Sequence, residues 1–218
     1  MSIRISSTAR LIRRKIRHSS SSSFSSSSKQ SNFFQWYSEK LETHPILTKA
    51  ITSGVISGSA DLICQAISYQ KRAAENEEEE ELTFDLARTG RFTLMGSAFV
   101  APIVHNWYGL LGSRIPGKSI SVVLKRLFCD QILFAPLFIP SFMTALFTLE
   151  GQDMNSILPV LKRDVPDVVV SNWTLWIPAM FVNFAYIPLQ WQVLYSNCVG
   201  LVWNIYVSWK TQEESKSN

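Results

Sequence analysis

From Val168 to Trp209 the chain runs 42 residues without an Asp, Glu, Lys or Arg. A bilayer core takes about 20 apolar residues per helical span. The run is long enough for two membrane passes, or for one pass and a helix lying at the interface. A soluble chain of 218 residues has little reason to exclude charge over such a length. The neutral polar residues Asn172, Asn183, Gln190, Gln192, Asn197 and Asn204 stay inside it. Side chains of that kind suit hydrogen bonding between helices in lipid.

The bulk composition masks this character. Mean hydropathy is only +0.08, because residues 1–30 and Lys71–Asp85 are strongly hydrophilic. The charge is uneven too. Residues 1–30 carry +7 with no acid, and the remainder carries −3. The basic balance therefore belongs to the leader and gives no ground for direct nucleic-acid binding. Cys64, Cys129 and Cys198 are scattered, odd in number and form no CxxC. A disulfide framework and a metal site are both disfavoured.

Ile5, Ala9, Ile12 and Ile16 fall on one helical face, with Arg10, Arg13, Arg14 and Arg17 beside them. A Ser-rich tract follows, and the first acid is Glu39. An Arg-rich, Ser-rich, acid-free amphipathic start reads as an organelle transit peptide, placed at residues 1–31. Mitochondrion is the first expectation. The serine run keeps a chloroplast open, and a solvated basic tail is the plainer alternative.

Phe33–Thr43 predicts an amphipathic helix at the membrane surface, and Pro45 predicts a new helix start. The first span is expected at Leu47–Tyr69, with Asp61 and Gln65 inside it. Gly54 and Gly58 form a GxxxG, a spacing that lets helices approach closely in lipid. Lys71–Asp85 reads as a solvated acidic loop. The second span is expected at Arg91–Leu111, with Pro102 and His105, followed by a basic link Gly112–Arg126. The third is expected at Leu127–Leu149, with Asp130 and Gln131 near its start. Glu150–Asp167 reads as a mixed-charge loop holding a short helix. The uncharged run then follows, broken near Ile187–Pro188, and residues 211–218 form a polar tail.

These residues carry a resemblance. Trp36–Tyr37, His44–Pro45, Thr48, Gly54, Gly58, Asp61 and Gln65 are similar to the opening of the Mpv-seventeen family, which includes the twenty-two-kilodalton peroxisomal membrane protein. The similarity continues through Asp85, Arg88, Arg91, Gly96, Pro102, His105 and Trp107–Tyr108, then Asp130–Gln131 and Ala135–Pro136. It ends on Asn172–Trp173, Trp176, Asn183–Phe184, Pro188, Trp203–Asn204, Tyr206 and Ser208–Trp209, so that it spans residues 32–210. There are departures. Ala60 stands where the family usually has Gly, Met180 where it has Gln, and Gln192 where it has Arg. The resemblance implies a small polytopic protein of the mitochondrial inner membrane, with a peroxisomal membrane as the alternative. It also implies a link to channel activity and metabolite balance, and no secure enzymatic activity.

A charge at mid-bilayer costs on the order of 3 kcal/mol on insertion scales, so such groups face a cavity or a partner. Asp61 and Asp130 are the sharpest candidates. Asp61 either gates a water-filled path or pairs with Arg88 or Arg91. Asp130 either faces the interior or sits at the interface. Gly58-Ser59-Ala60-Asp61 lacks the second Gly of an aspartyl intramembrane protease element, which argues against an enzyme. His105 is read as a titrating group or a hydrogen-bonding partner between helices. The expectation is an all-α polytopic membrane protein with four to five embedded helices in one bundle. Its expected role is a pore or transporter for small solutes or ions, with no cofactor. Membrane lipids are its surroundings, and a homo-oligomer is open. The rival is a structural or lipid-organising protein. The candidate residues at pore or helix interface are Asp61, Gln65, Arg88, Arg91, His105, Asp130, Gln131, Asn172 and Asn183.

Overall fold

A computed structural model describes the backbone of residues 28–75 and 83–216, and the side chains of 33–70 and 83–205. Residues 1–27, most of the expected transit peptide, and the acidic run Glu77–Glu81 lie outside the described residues. The chain divides into two units, Met1–Lys40 and Leu41–Asn218. In the first, α1 (Ser28–Thr43) begins, so the expected boundary at residue 31 falls inside a helix. Phe33 stacks on Tyr37 one turn later at 6.2 Å.

The second unit is a helix bundle, with no strand among the described residues. It holds α2 (Pro45–Glu75), the composite helix α3, the composite helix α4 (Ile120–Leu149), α5 (Met154–Tyr186) and α6 (Gln192–Lys216). Helix α3 is built from Leu86–Leu94, a π-helical turn Met95–Val100, and Ala101–Arg114. Among the described residues, Pro45–Gln70, Ile120–Leu149 and Met154–Tyr186 are long and apolar enough to cross a membrane. Leu137, Val55 and Leu133 are exposed on the outside, as side chains solvated by lipid would be.

Each helix packs on its chain neighbour, and α6 returns to pack on α2. The five helices close round in chain order, with Ala101–Arg114 of α3 also packed across the bundle on α6. Short connections make neighbours antiparallel. The start of α2, the α3–α4 link and the α5–α6 turn therefore share one end, where Leu189 lies against Gly112.

The π turns of α3 and α4 have one cause. Each precedes an Ala–Pro pair, Ala101–Pro102 and Ala135–Pro136. Proline lacks the N–H and its ring clashes with the carbonyl four residues back. The ladder widens to compensate: Ala101 donates to Gly96 O, and Ala135 to Asp130 O, each five residues back. Adjacent Asp130 and Gln131 are both buried in the second of these turns.

Several boundaries differ from expectation. The basic link shrinks to residues 115–119, because 112–114 end α3 and 120–126 join α4, and the Arg126 guanidinium closes it by donating to Ile115 O. The expected loop 150–167 is mostly helix. It opens with Gly151 at φ +83°, where Gly151 N–H donates to Thr148 O and Gln152 N–H to Phe147 O, the paired bonds that close α4. Asp153 then caps α5, accepting from Asn155 N–H. The helix passes through Pro159 and Pro166 because the carbonyls they free, on Asn155 and Lys162, belong to exposed residues that water can serve. The break after Tyr186 lies where expected: Ile187 is extended at φ −91°, ψ 124°, as the residue before a proline prefers. The expected polar tail continues α6 to Lys216.

Candidate functional site

Helix α2 carries Lys49, Ser53, Ser57, Asp61 and Gln65 at four-residue spacing. Residues at that interval share one face. At its start the buried Lys49 Nζ lies 2.9 Å from His105 Nδ1 on α3. One turn on, Asn197 Nδ2 of α6 donates to Ser53 Oγ at 2.5 Å.

Asp61 is the hub of the far end. Its Oδ2 accepts from Gln65 Nε2 and from Thr89 Oγ1, each at 2.7 Å. Arg88 Nε lies 2.8 Å from Oδ1, yet Oδ1 has no aligned hydrogen bond. The contact is thus an ion pair with its N–H off line. Gln65 Oε1 accepts Asp85 N–H at 2.7 Å, and Asp85 caps α3 by accepting Arg88 N–H at 2.8 Å. Among the described residues the second arginine, Arg91, pairs with Asp85 alone, at 4.0 Å.

Asp130 has a different environment. Its Oδ1 accepts from Trp107 Nε1 and its Oδ2 from Gln131 Nε2, both at 2.7 Å. Among the described residues it has no ion-pair partner. Asp130 also lies farther from its helix start than the expected span Leu127–Leu149 put it. Because α4 starts at Ile120, the residue lies well inside the helix and is only 4% exposed. Trp173 Nε1 donates to Gln131 O from α5, while the buried Gln131 Oε1 has no partner.

The five helices line a cavity of about 430 Å³. Asp61, Arg88, Asp130, Gln131 and Asn172 line it; the aromatic rings of Phe134, Phe138 and Phe142 form much of one wall. Gln65, Arg91, His105 and Asn183 are not on that wall. Asn183 instead joins α5 to α6, donating to Ser196 Oγ at 3.2 Å and Gln192 O at 3.4 Å. Gly54 and Gly58 set the approach of α2 to α3. A Cβ on Gly54 would meet Ser97 Cβ at 3.1 Å, and one on Gly58 would meet the Thr93 hydroxyl. Among the described residues no cluster of His, Cys, Asp and Glu could hold a metal.

Sequence reasoning missed Lys49, Trp107, Thr89 and Ser196. The four-residue stripe could have found Lys49. Nothing in one sequence marks Trp107 as an inward donor rather than an interfacial aromatic. Ser196 shares a hydrogen bond with the buried Tyr108 hydroxyl at 2.8 Å, a pairing between residues 88 apart.

The family model described as the Mpv17 / PMP22 family matches residues 147–208. The chain is 34% identical over 176 residues to Protein sym-1 of Neurospora crassa, covering 80% of this chain and 96% of that one. It is 32% identical over 177 residues to the Mitochondrial inner membrane protein Mpv17 of Mus musculus, covering 81% and 96%. The chain belongs to the Mpv17 / PMP22 family. Peroxisomal membrane protein 2 of Bos taurus is also similar, 34% identical over 172 residues that cover 79% of this chain and 86% of that one. No solved structure matches.

Two of the sequence departures from the Mpv17 / PMP22 pattern have a visible use here. Gln192 is buried and donates to Ile187 O at 3.1 Å and to Asn183 O at 3.4 Å. A neutral amide thus serves the Ile187 carbonyl beyond the end of α5 and adds a second donor to Asn183 O, which already accepts Ile187 N–H. Met180 is 1% exposed and its sulfur accepts from the Tyr108 hydroxyl at 3.6 Å.

Proposed function

We propose that this Mpv17 / PMP22 family member is a pore or transporter for small solutes in the mitochondrial inner membrane. A peroxisomal membrane is the alternative. The location draws on the printed names of the mouse and bovine relatives. The observation that carries the transport reading is the cavity: about 430 Å³ lined by all five helices, with the carboxylates of Asp61 and Asp130, the Arg88 guanidinium and the amides of Gln131 and Asn172 among largely apolar walls. A protein needing only to fill lipid would be served better by a packed centre, since buried polar groups are costly in a bilayer.

The second reading, a structural or lipid-organising protein, is favoured by Asp61. Its carboxylate is engaged by Gln65, Thr89 and Arg88, a pattern that joins α2 to α3 without any solute. Purified full-length protein reconstituted in liposomes separates the two. Transport predicts flux of ions or small metabolites above that of empty vesicles. Folded protein giving no flux across both classes of solute removes the transport reading.

A further inference from the structure

We infer that the cavity is a binding site for an organic cation with an apolar body, its ammonium received by Asp130 and Gln131. This names the solute class for the transport reading above and rests on it for its purpose.

The buried carboxylate carries the argument first. Asp130 takes two short hydrogen bonds, from Trp107 and Gln131, which is the accepting role of an ionised carboxylate. Both donors are neutral, and among the described residues no cation pairs with it. A buried charge without a counter-charge is costly, and cations are what relieve it. The other charged groups on the wall cancel each other, since Arg88 is paired to Asp61 at 2.8 Å. Lys49 and His105 face each other off the wall. An anion entering the cavity would thus meet Asp130 uncompensated.

The orphaned acceptor is independent of that charge. Gln131 lines the cavity, is 4% exposed, and spends its amide N–H on Asp130. Its Oε1 is buried and unpartnered. A buried acceptor left unmade is expensive, and what it lacks is a donor. An ammonium supplies several N–H donors and the missing positive charge together.

The third feature is the wall beside these groups. Trp107 stacks on Phe134 at 4.8 Å, Phe134 on Phe138 at 5.0 Å, and Phe142 follows at 6.2 Å. Phe134, Phe138 and Phe142 of this stack line the cavity, an apolar surface that suits the body of the ligand. A volume of about 430 Å³ lies within the ordinary range of small-molecule sites.

Titration calorimetry on the full chain in zwitterionic lipid nanodiscs tests this, with empty nanodiscs subtracted. The probes are phenethylammonium, neutral 2-phenylethanol and anionic 3-phenylpropanoate, which share a phenyl body and differ in the head. The expected result is ammonium binding at least tenfold tighter than either analogue. Equal binding of all three, preference for the anion, or no ammonium binding at millimolar concentration would overturn the inference. Asp130→Asn is expected to lose the tenfold preference, and its retention would also overturn it. The wild-type comparison stands alone if that variant does not fold. Ammonium binding without flux in liposomes removes transport and keeps this site. Flux without ammonium preference keeps transport and removes this site.

Discussion

Trp107 donates its indole N–H to Asp130 Oδ1 across 2.7 Å, joining α3 to α4 beside the cavity. The same ring stacks on Phe134 at 4.8 Å with planes 10° apart. Trp107→Phe keeps a stacking ring and removes the donor. Hydrogen bonds to charged groups contribute about 1.5–3 kcal/mol, and the carboxylate left behind is buried. Thermal and denaturant unfolding in detergent should show a loss in that range. Trp173→Phe removes a bond to a backbone carbonyl and should cost less, since neutral bonds between membrane helices average about 0.6 kcal/mol. Equal effects from the two changes would contradict an ionised Asp130.

The contrast between those tryptophans marks how far the sequence can be read. Long uncharged runs and Pro188 placed the helices and the last break, because lipid excludes charge along a whole span. Glu150–Asp167 misled, because Pro159, Pro166 and six charged residues look like a loop until exposure shows that water can serve the freed carbonyls. The site was half legible. Asp61, Asp130 and Gln131 stood out as polar groups in apolar segments, and Arg88 as a partner for Asp61. Their partners did not, because Trp107 to Asp130 and Tyr108 to Ser196 depend on which helices become neighbours, and periodicity within one helix is blind to that.

Arg88 and Asp61 form an unequal pair. The Asp61 side chain is 1% exposed and that of Arg88 is 45% exposed. Removing the aspartate leaves a guanidinium already half in solvent, so Asp61→Asn should cost about 1 kcal/mol, with Thr89 still able to donate. Removing the arginine leaves the carboxylate buried without its counter-charge, so Arg88→Met should cost on the order of 3 kcal/mol. Unfolding of both variants in detergent checks the order. A larger loss from Asp61→Asn would show that the carboxylate, not the ion pair, holds α2 to α3.

Gly96 faces α2 with no room for a side chain. A Cβ there would lie 2.7 Å from Ser53 O, a backbone atom. Gly96→Ala should therefore push α2 from α3 and cost about 1–3 kcal/mol by overpacking. Gly90, on the same helix, has nothing within 4 Å of an added Cβ. Gly90→Ala should be neutral or stabilise by up to about 1 kcal/mol through helix propensity. Matched melting curves decide it, and equal losses at both sites would place the cost in the helix rather than in its contact.

The ring order fixes which loops share a side. Ser119 lies in the link between α3 and α4, and Gln152 in the turn between α4 and α5. Helix α4 separates them, and it is one of the helices long and apolar enough to span a membrane. Arg114 ends α3 and Lys118 lies in the link, with no acid beside them, and Lys125 and Arg126 follow in the first turns of α4. The turn near Gln152 carries Glu150 and Asp153. The excess of basic residues favours the side that retains positive charge during insertion, which for the inner membrane is the matrix. In a chain with Cys64, Cys129 and Cys198 replaced by Ala, Ser119→Cys and Gln152→Cys report the two ends. With an impermeant maleimide on mitoplasts, Gln152→Cys should label at once and Ser119→Cys only after lysis. Labelling of both without lysis would mean that α4 does not cross. The reverse pattern would keep the crossing and invert the whole bundle, placing the Asp61–Arg88 end of the cavity toward the matrix.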